Sequence, residues 1–122
     1  MVIEINVGID LDGTIDAYPA IFKQLITQAI ANGDQVYIIT GIHGNTIQQA
    51  DVDAKTAYLT LLGITQYTKL VLTPNPIPDN KVKAIQENNI AVMYDNNLAN
   101  IKAITKNTNC IALLLYNTKI KK

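Results

Sequence analysis

Two aspartates one residue apart, Asp10 and Asp12, close an apolar run in the segment "NVGIDLDGTID" (Asn6–Asp16). Paired carboxylates are hard oxygen donors suited to a divalent cation, or to proton transfer. Brought together without compensation, they raise one another's pKa and destabilise the chain that holds them. Polar residues also end two later apolar runs: Thr40-Gly41 after "QVYII", and Asp95-Asn96-Asn97 after "IAVMY". If the first and fourth runs are neighbouring strands, Asp10, Asp12 and Asp95 meet at one rim. Mg²⁺ is the expected neutralising ion, since it takes one or two carboxylates with waters and phosphate oxygens.

The elements that must position these residues are legible as an alternation. Five short β-branched runs recur: "VIEINVGIDL", "QVYIIT", "KLVLT", "IAVMYD" and "CIALLLY". Four helical stretches lie between them. "PAIFKQLITQAIANG" places Ile21, Phe22, Leu25, Ile26, Ala29 and Ile30 on one broad face, with Pro19 in its first turn and Gly33 at its end. "NTIQQADVDAKTAYLTLLGI" ends at Gly63, and "DNKVKAIQENN" has Asp79 as its expected N-cap. "NLANIKAITKNT" puts Leu98, Ile101 and Ile104/Thr105 on one side. The prolines of "PNPIP" read as a stiff connector. Alternating strands and helices predict one doubly wound, Rossmann-like α/β domain over residues 1–122: a five-stranded parallel sheet covered by helices on both faces. Ligands in such sheets bind beyond the carboxyl ends of the strands, where strand order reverses.

Composition narrows the function classes. The chain has 122 residues with ten Lys, ten acidic residues and a formal net charge of zero, so no broad basic surface suggests nucleic-acid binding. Positive charge concentrates only in the tail "TKIKK", read as a solvated terminus. There is no Arg, so a phosphate cannot be clamped by a guanidinium; it must be held by Lys, backbone N–H, hydroxyls or a metal. The single cysteine, Cys110, excludes an internal disulfide and reads as a buried small hydrophobe. No apolar run approaches the roughly 20 residues that span a bilayer, and "MVIEINVGID" does not read as a signal peptide. A cytoplasmic protein without membrane contact is expected.

"DLDGT" (Asp10–Thr14), "IITG" (Ile38–Gly41), a lysine of "DNKVKA" and "VMYDNN" (Val92–Asn97) resemble, in order and spacing, the four motifs of the haloacid dehalogenase (HAD) superfamily. The resemblance covers nearly the whole chain and is closest to small, cap-less, phosphatase-like members. It implies a sheet order of 5-4-1-2-3 and an Mg²⁺-dependent phosphomonoesterase. Asp10 would be the nucleophile that forms an aspartyl-phosphate, and Asp12 the acid and base. Asp10, the Asp12 carbonyl and Asp95 would hold the metal. Gly13 would allow the turn that Thr14 fixes, while Thr40 and the Gly41 N–H would bind a phosphate oxygen. Lys81 or Lys83 would supply positive charge; Lys81 is preferred, because related cap-less sequences carry this lysine fourteen residues before the position of Asp95.

The match departs at Asn96, where a second carboxylate is usual, and at Ile42-His43, where an Arg is common. Asn96 would accept from a metal-bound water but adds no charge. Gaps after Asp12 and between Gly41 and Lys81 are too short for a lid domain, so the mouth should be open. That suits a nucleotide or another bulky phosphorylated substrate, with nucleic acid only as a substrate end, and makes the Gly41–Asp53 loop the candidate for specificity. His43, Asp16 and Tyr18 are read first as ordinary loop residues near the entrance. The alternative is a catalytically silent HAD-fold binding or assembly protein, favoured by Asn96. A phosphorelay receiver domain is disfavoured, because its acceptor Asp should end the third strand, which here reads "KLVLTP".

Overall fold

The computed structural model describes residues 3–116. The "TKIKK" tail lies outside the described residues. Five strands, β1 (Asn6–Ile9), β2 (Gln35–Gly41), β3 (Lys69–Thr73), β4 (Val92–Asp95) and β5 (Ile111–Leu114), alternate with four helices, α1 (Pro19–Ala31), α2 (Gln49–Leu61), α3 (Ile77–Glu87) and α4 (Leu98–Asn107). All pairings are parallel, and the sheet order is β3-β2-β1-β4-β5, which from the opposite edge reads 5-4-1-2-3. The chain runs outward from β1 to β3, crosses back to β4 beside β1, and ends at β5. Strand order therefore reverses between β1 and β4.

Side-chain alternation sorts the core into two layers. Ile9, Val36 and Ile38 pack with Phe22 and Ile26 of α1 and Leu59 of α2 on one face. Ile39 and Met93 pack with Ala84 and Ile85 of α3 and Ile104 of α4 on the other. Both faces are covered, which explains the uninterrupted apolar character of the central strands.

Several local expectations shift. In α1, Phe22 and Ile26 are the buried residues, while Ile21 is 58% exposed; the predicted broad face narrows because one stripe suffices to meet the sheet. The stretch before Gln49 is not helical, and α2 starts on a reciprocal cap in which the Gln48 N–H donates to Asp51 Oδ2 at 2.8 Å. Helix α3 begins at Ile77, with Pro78 in its first turn, so Asp79 lies inside the helix rather than capping it. In α4, Leu98 is 51% exposed, whereas Asn100 is buried. Among the described residues no helix is long and apolar enough to cross a membrane.

Candidate functional site

Beyond the end of β1 the Asp10 N–H still donates to the Tyr94 carbonyl at 2.9 Å, which keeps Asp10 beside β4. The chain then turns tightly through Leu11–Ile15, closed by Ile15 N–H to Asp10 O at 3.3 Å and Asp16 N–H to Leu11 O at 3.2 Å. Gly13 makes this turn at φ +81°, and a side chain there would also collide with the Asn96 amide. Asp16 fastens the turn, accepting from the Gly13 N–H at 2.7 Å and from the Tyr58 hydroxyl of α2 at 2.8 Å. That bond to the Asp16 carboxylate raises the Tyr58 pKa.

Three buried charges meet under the rim. Lys81 Nζ donates to Asp10 Oδ1 at 2.8 Å and to Asp95 Oδ2 at 2.6 Å. Two oxygens bonded to one nitrogen at those distances lie no more than 5.4 Å apart. Lys81 is 1% exposed, Asp10 5% and Asp95 0%. Asp95 accepts further donors, from the Asn97 N–H on Oδ1 at 2.9 Å and from Asn100 Nδ2 on Oδ2 at 3.2 Å. Asn97 also caps α4, accepting from the Asn100 N–H at 3.1 Å. Burial pushes the Asp10 carboxyl up to about 6, against the downward pull of Lys81 and with a further upward push from Asp95.

A cavity of about 500 Å³ opens above this cluster, lined by Asp10, Asp12, Gly41, His43, Lys81 and Asn96 and walled on its apolar side by Ile42, Ile77 and Pro78. It sits at the carboxyl ends of the strands, where strand order reverses. A smaller recess of about 210 Å³ shares Asp12, Gly41, Ile42 and His43 and reaches Asp51 and Lys55 of α2.

The residues singled out in the sequence are not all brought together. Asp10, Lys81 and Asp95 converge. Lys81 is the buried lysine of its helix and Lys83 is exposed. The Asp12 carboxylate does not join them: it is about half exposed and pairs with Lys55 Nζ at 2.8 Å. Three carboxylates in one knot were expected, but among the described residues no group of three His, Cys, Asp or Glu side chains is placed to share a metal ion. Thr40 is fully buried and lines neither cavity, and its hydroxyl has no partner among the described residues. Register parity puts its side chain on the α1/α2 face, with Ile38, while Gly41 faces α3. Thr14 is buried, its hydroxyl 3.4 Å from Asp10 Oδ2. His43 lines both cavities; Tyr18 packs against the core. Lys55, Asn100 and the Ile77–Pro78 wall were missed, because nothing local tells which side of a helix will meet a distant strand end.

The oxygens at the rim that could meet a hard cation are those of the Asp10 carboxylate and the Asp12 carbonyl. Both now accept from the Asn96 amide, whose Nδ2 donates to Asp10 Oδ2 at 3.1 Å and to the Asp12 carbonyl at 3.0 Å.

No family model and no curated protein matches the sequence. Solved structures do match its fold. A universal stress protein in complex with cAMP superposes with a TM-score of 0.60 at 14% identity, over 92% of this chain and 96% of that one. The universal stress protein of Archaeoglobus fulgidus in complex with dAMP gives 0.60 at 13% identity, over 95% and 100%. A universal stress family protein of Burkholderia pseudomallei gives 0.54 at 13%, over 90% and 94%. These matches correct the HAD resemblance and the phosphatase expected from it: the three matching structures just named are universal stress proteins, two of them holding a nucleotide. The physical reason is that any parallel sheet of this order gathers its strand-end residues at one rim, so short polar motifs in sequence order mark the topology without marking the family. At these identities the likeness establishes the fold: a five-stranded parallel α/β domain of the kind seen in universal stress proteins.

Proposed function

We propose that the chain is a nucleotide-binding domain that takes a nucleoside phosphate as a ligand in the cavity at the carboxyl rim of its sheet, together with Mg²⁺. The observation that carries this reading is the buried Asp10–Lys81–Asp95 cluster under a cavity of about 500 Å³, at the point where strand order reverses. The cAMP and dAMP held by two proteins of the same fold support the ligand class.

Charge explains why a cation belongs to the reading. Asp10, Asp12 and Asp95 against Lys55 and Lys81 leave one formal negative charge at the rim. The chain has no Arg and no G-x-G-x-x-G or G-x-x-x-x-G-K run to cradle a phosphate with backbone N–H groups. A bound Mg²⁺ supplies the charge reversal that lets an anion approach. Asp10 Oδ2 and the Asp12 carbonyl would hold it, Lys81 keeps Asp10 Oδ1 occupied and the carboxylate oriented, and the N–H of Gly41, which lines the cavity, would donate to the ligand. Ile42, Ile77 and Pro78 offer an apolar wall to the nucleoside.

Calorimetric titration with AMP, cAMP and ATP, in Mg²⁺ and in EDTA, tests this. Binding in Mg²⁺ that weakens at least tenfold in EDTA, and equally in Asp10→Asn, is expected. Absence of heat for every nucleotide under both conditions overturns it.

A further inference from the structure

The cover that the central strands receive on both faces stops short at β4 and β5. Side-chain parity puts Val92 and Tyr94 of β4, with Ile111 and Leu113 beside them on β5, on the face that carries α1. The Tyr94 ring meets Phe22 of α1 edge-on, with centroids 6.0 Å apart. Helix α4 is packed on β5 from the opposite face, where Ile104 lies with Met93 and Ala112. On the α1 side Ile111 is 60% exposed and Leu113 42%. The flank of α1 that overlooks them is apolar as well, with Ile21 58% and Leu25 39% exposed. Between helix and strands runs a groove of about 250 Å³, lined by Leu25, Val92 and Tyr94.

The patch is almost free of charge. Strand β5 reads Ile-Ala-Leu-Leu, and the one charged residue of α1, Lys23, lines a separate recess with Gly63 and Thr65. Asp34 borders the groove at its far end, where its carboxylate accepts from the Ile5 N–H at 3.0 Å. We propose that this face is the interface of a homodimer, in which two copies bury the α1 flank and the β4–β5 face against each other about a two-fold axis. A two-fold contact sets a patch against itself, so a charge within it would meet its like; an uncharged patch carries no such penalty. The area suits the role. The four exposed side chains leave on the order of 400 Å² of apolar surface, close to the apolar share, about 60%, of the roughly 800 Å² that each partner of a standard interface buries. Strand β5 is also an edge strand without Lys or Pro, and edges of that kind need covering. The groove shares no residue with the nucleotide cavity, so the dimer stands independently of the nucleotide reading.

Sedimentation of the full chain over a concentration series tests this. The wild type is expected to be dimeric at about 100 µM. Ile111→Lys and Ile21→Lys put a charge on each of the two elements, and each should weaken the dimer at least tenfold. Both side chains are exposed in a single chain, so the two variants should keep the far-UV circular dichroism of the wild type. Leu61→Lys, at an 81% exposed site at the end of α2, should leave the Kd within twofold. A wild type that is monomeric at about 100 µM overturns the homodimer and leaves the face to a different protein. A dimer whose Kd neither lysine changes by more than twofold also overturns it, because the copies then meet elsewhere.

Discussion

Lys81 is the residue on which the site turns. The residue is 1% exposed, and its ammonium bridges two carboxylates that would otherwise face each other across a few ångströms. Removing one member of a buried ionic cluster leaves uncompensated charge and costs about 3–5 kcal/mol. Lys81→Met should therefore lose stability of that order in denaturant titrations at pH 7. Asp10 titrates unusually. Its folded pKa is raised by burial to about 6 from 3.8, so the folded state keeps a proton that the unfolded chain has released. The contribution is fully present below about 3.8 and is lost as pH rises through about 6. The wild-type-minus-Asp10→Asn difference in unfolding free energy, measured without metal from pH 3.5 to 7, should fall across that window. Cys110 stands apart: burial pushes its thiol up to about 11, so alkylation at pH 8 should be much slower than for a free thiol.

At the scale of elements, α2 is the weakest attachment, and its Asp51–Lys55 edge lines the smaller recess beside the main cavity. Leu59 is its single fully buried side chain. Beyond that it is tied by Tyr58 to Asp16 and by Lys55 to Asp12, the latter an exposed pair of the kind worth at most about 1 kcal/mol. Leu59→Ala should cost about 2–5 kcal/mol by cavity formation, measured by chemical denaturation. Helix α3 is the counterpart: Ala84 and Ile85 anchor it to the sheet, and the same face that buries them carries Lys81 beneath the rim. Gly41 permits Ile77 to close against β2, which brings the apolar wall of the cavity to the strand end.

For the whole molecule, the sheet order puts the end of β1 beside the end of β4, and everything at the site follows from that adjacency. Because a ligand that binds only the folded state stabilises it by mass action, a nucleotide with Mg²⁺ at a hundred times its Kd should add about 2.7 kcal/mol. A thermal-shift series over nucleotide concentration reads this directly, and a flat series counts against the nucleotide site. The doubly wound class was legible because apolar runs of strand length alternate with helix-length amphipathic stretches, and that alternation is a local property of the chain. Convergence of Asp10 with Asp95 was legible too, since strand-exit residues in parallel sheets share a rim. The HAD resemblance misled, because motifs of two to five polar residues at strand ends follow from topology as much as from chemistry.

The sequence by itself therefore determined the elements, their order and the list of polar residues at the strand exits, since hydrophobic spacing and turn residues act over a few positions. Tertiary structure alone decided that Asp12 turns out to Lys55, that Thr40 sinks beneath the sheet's rim, and that Asn96 comes to rest against Asp10. Each depends on which side chain occupies a space shared by segments some 40 to 90 residues apart, and no local pattern encodes that space.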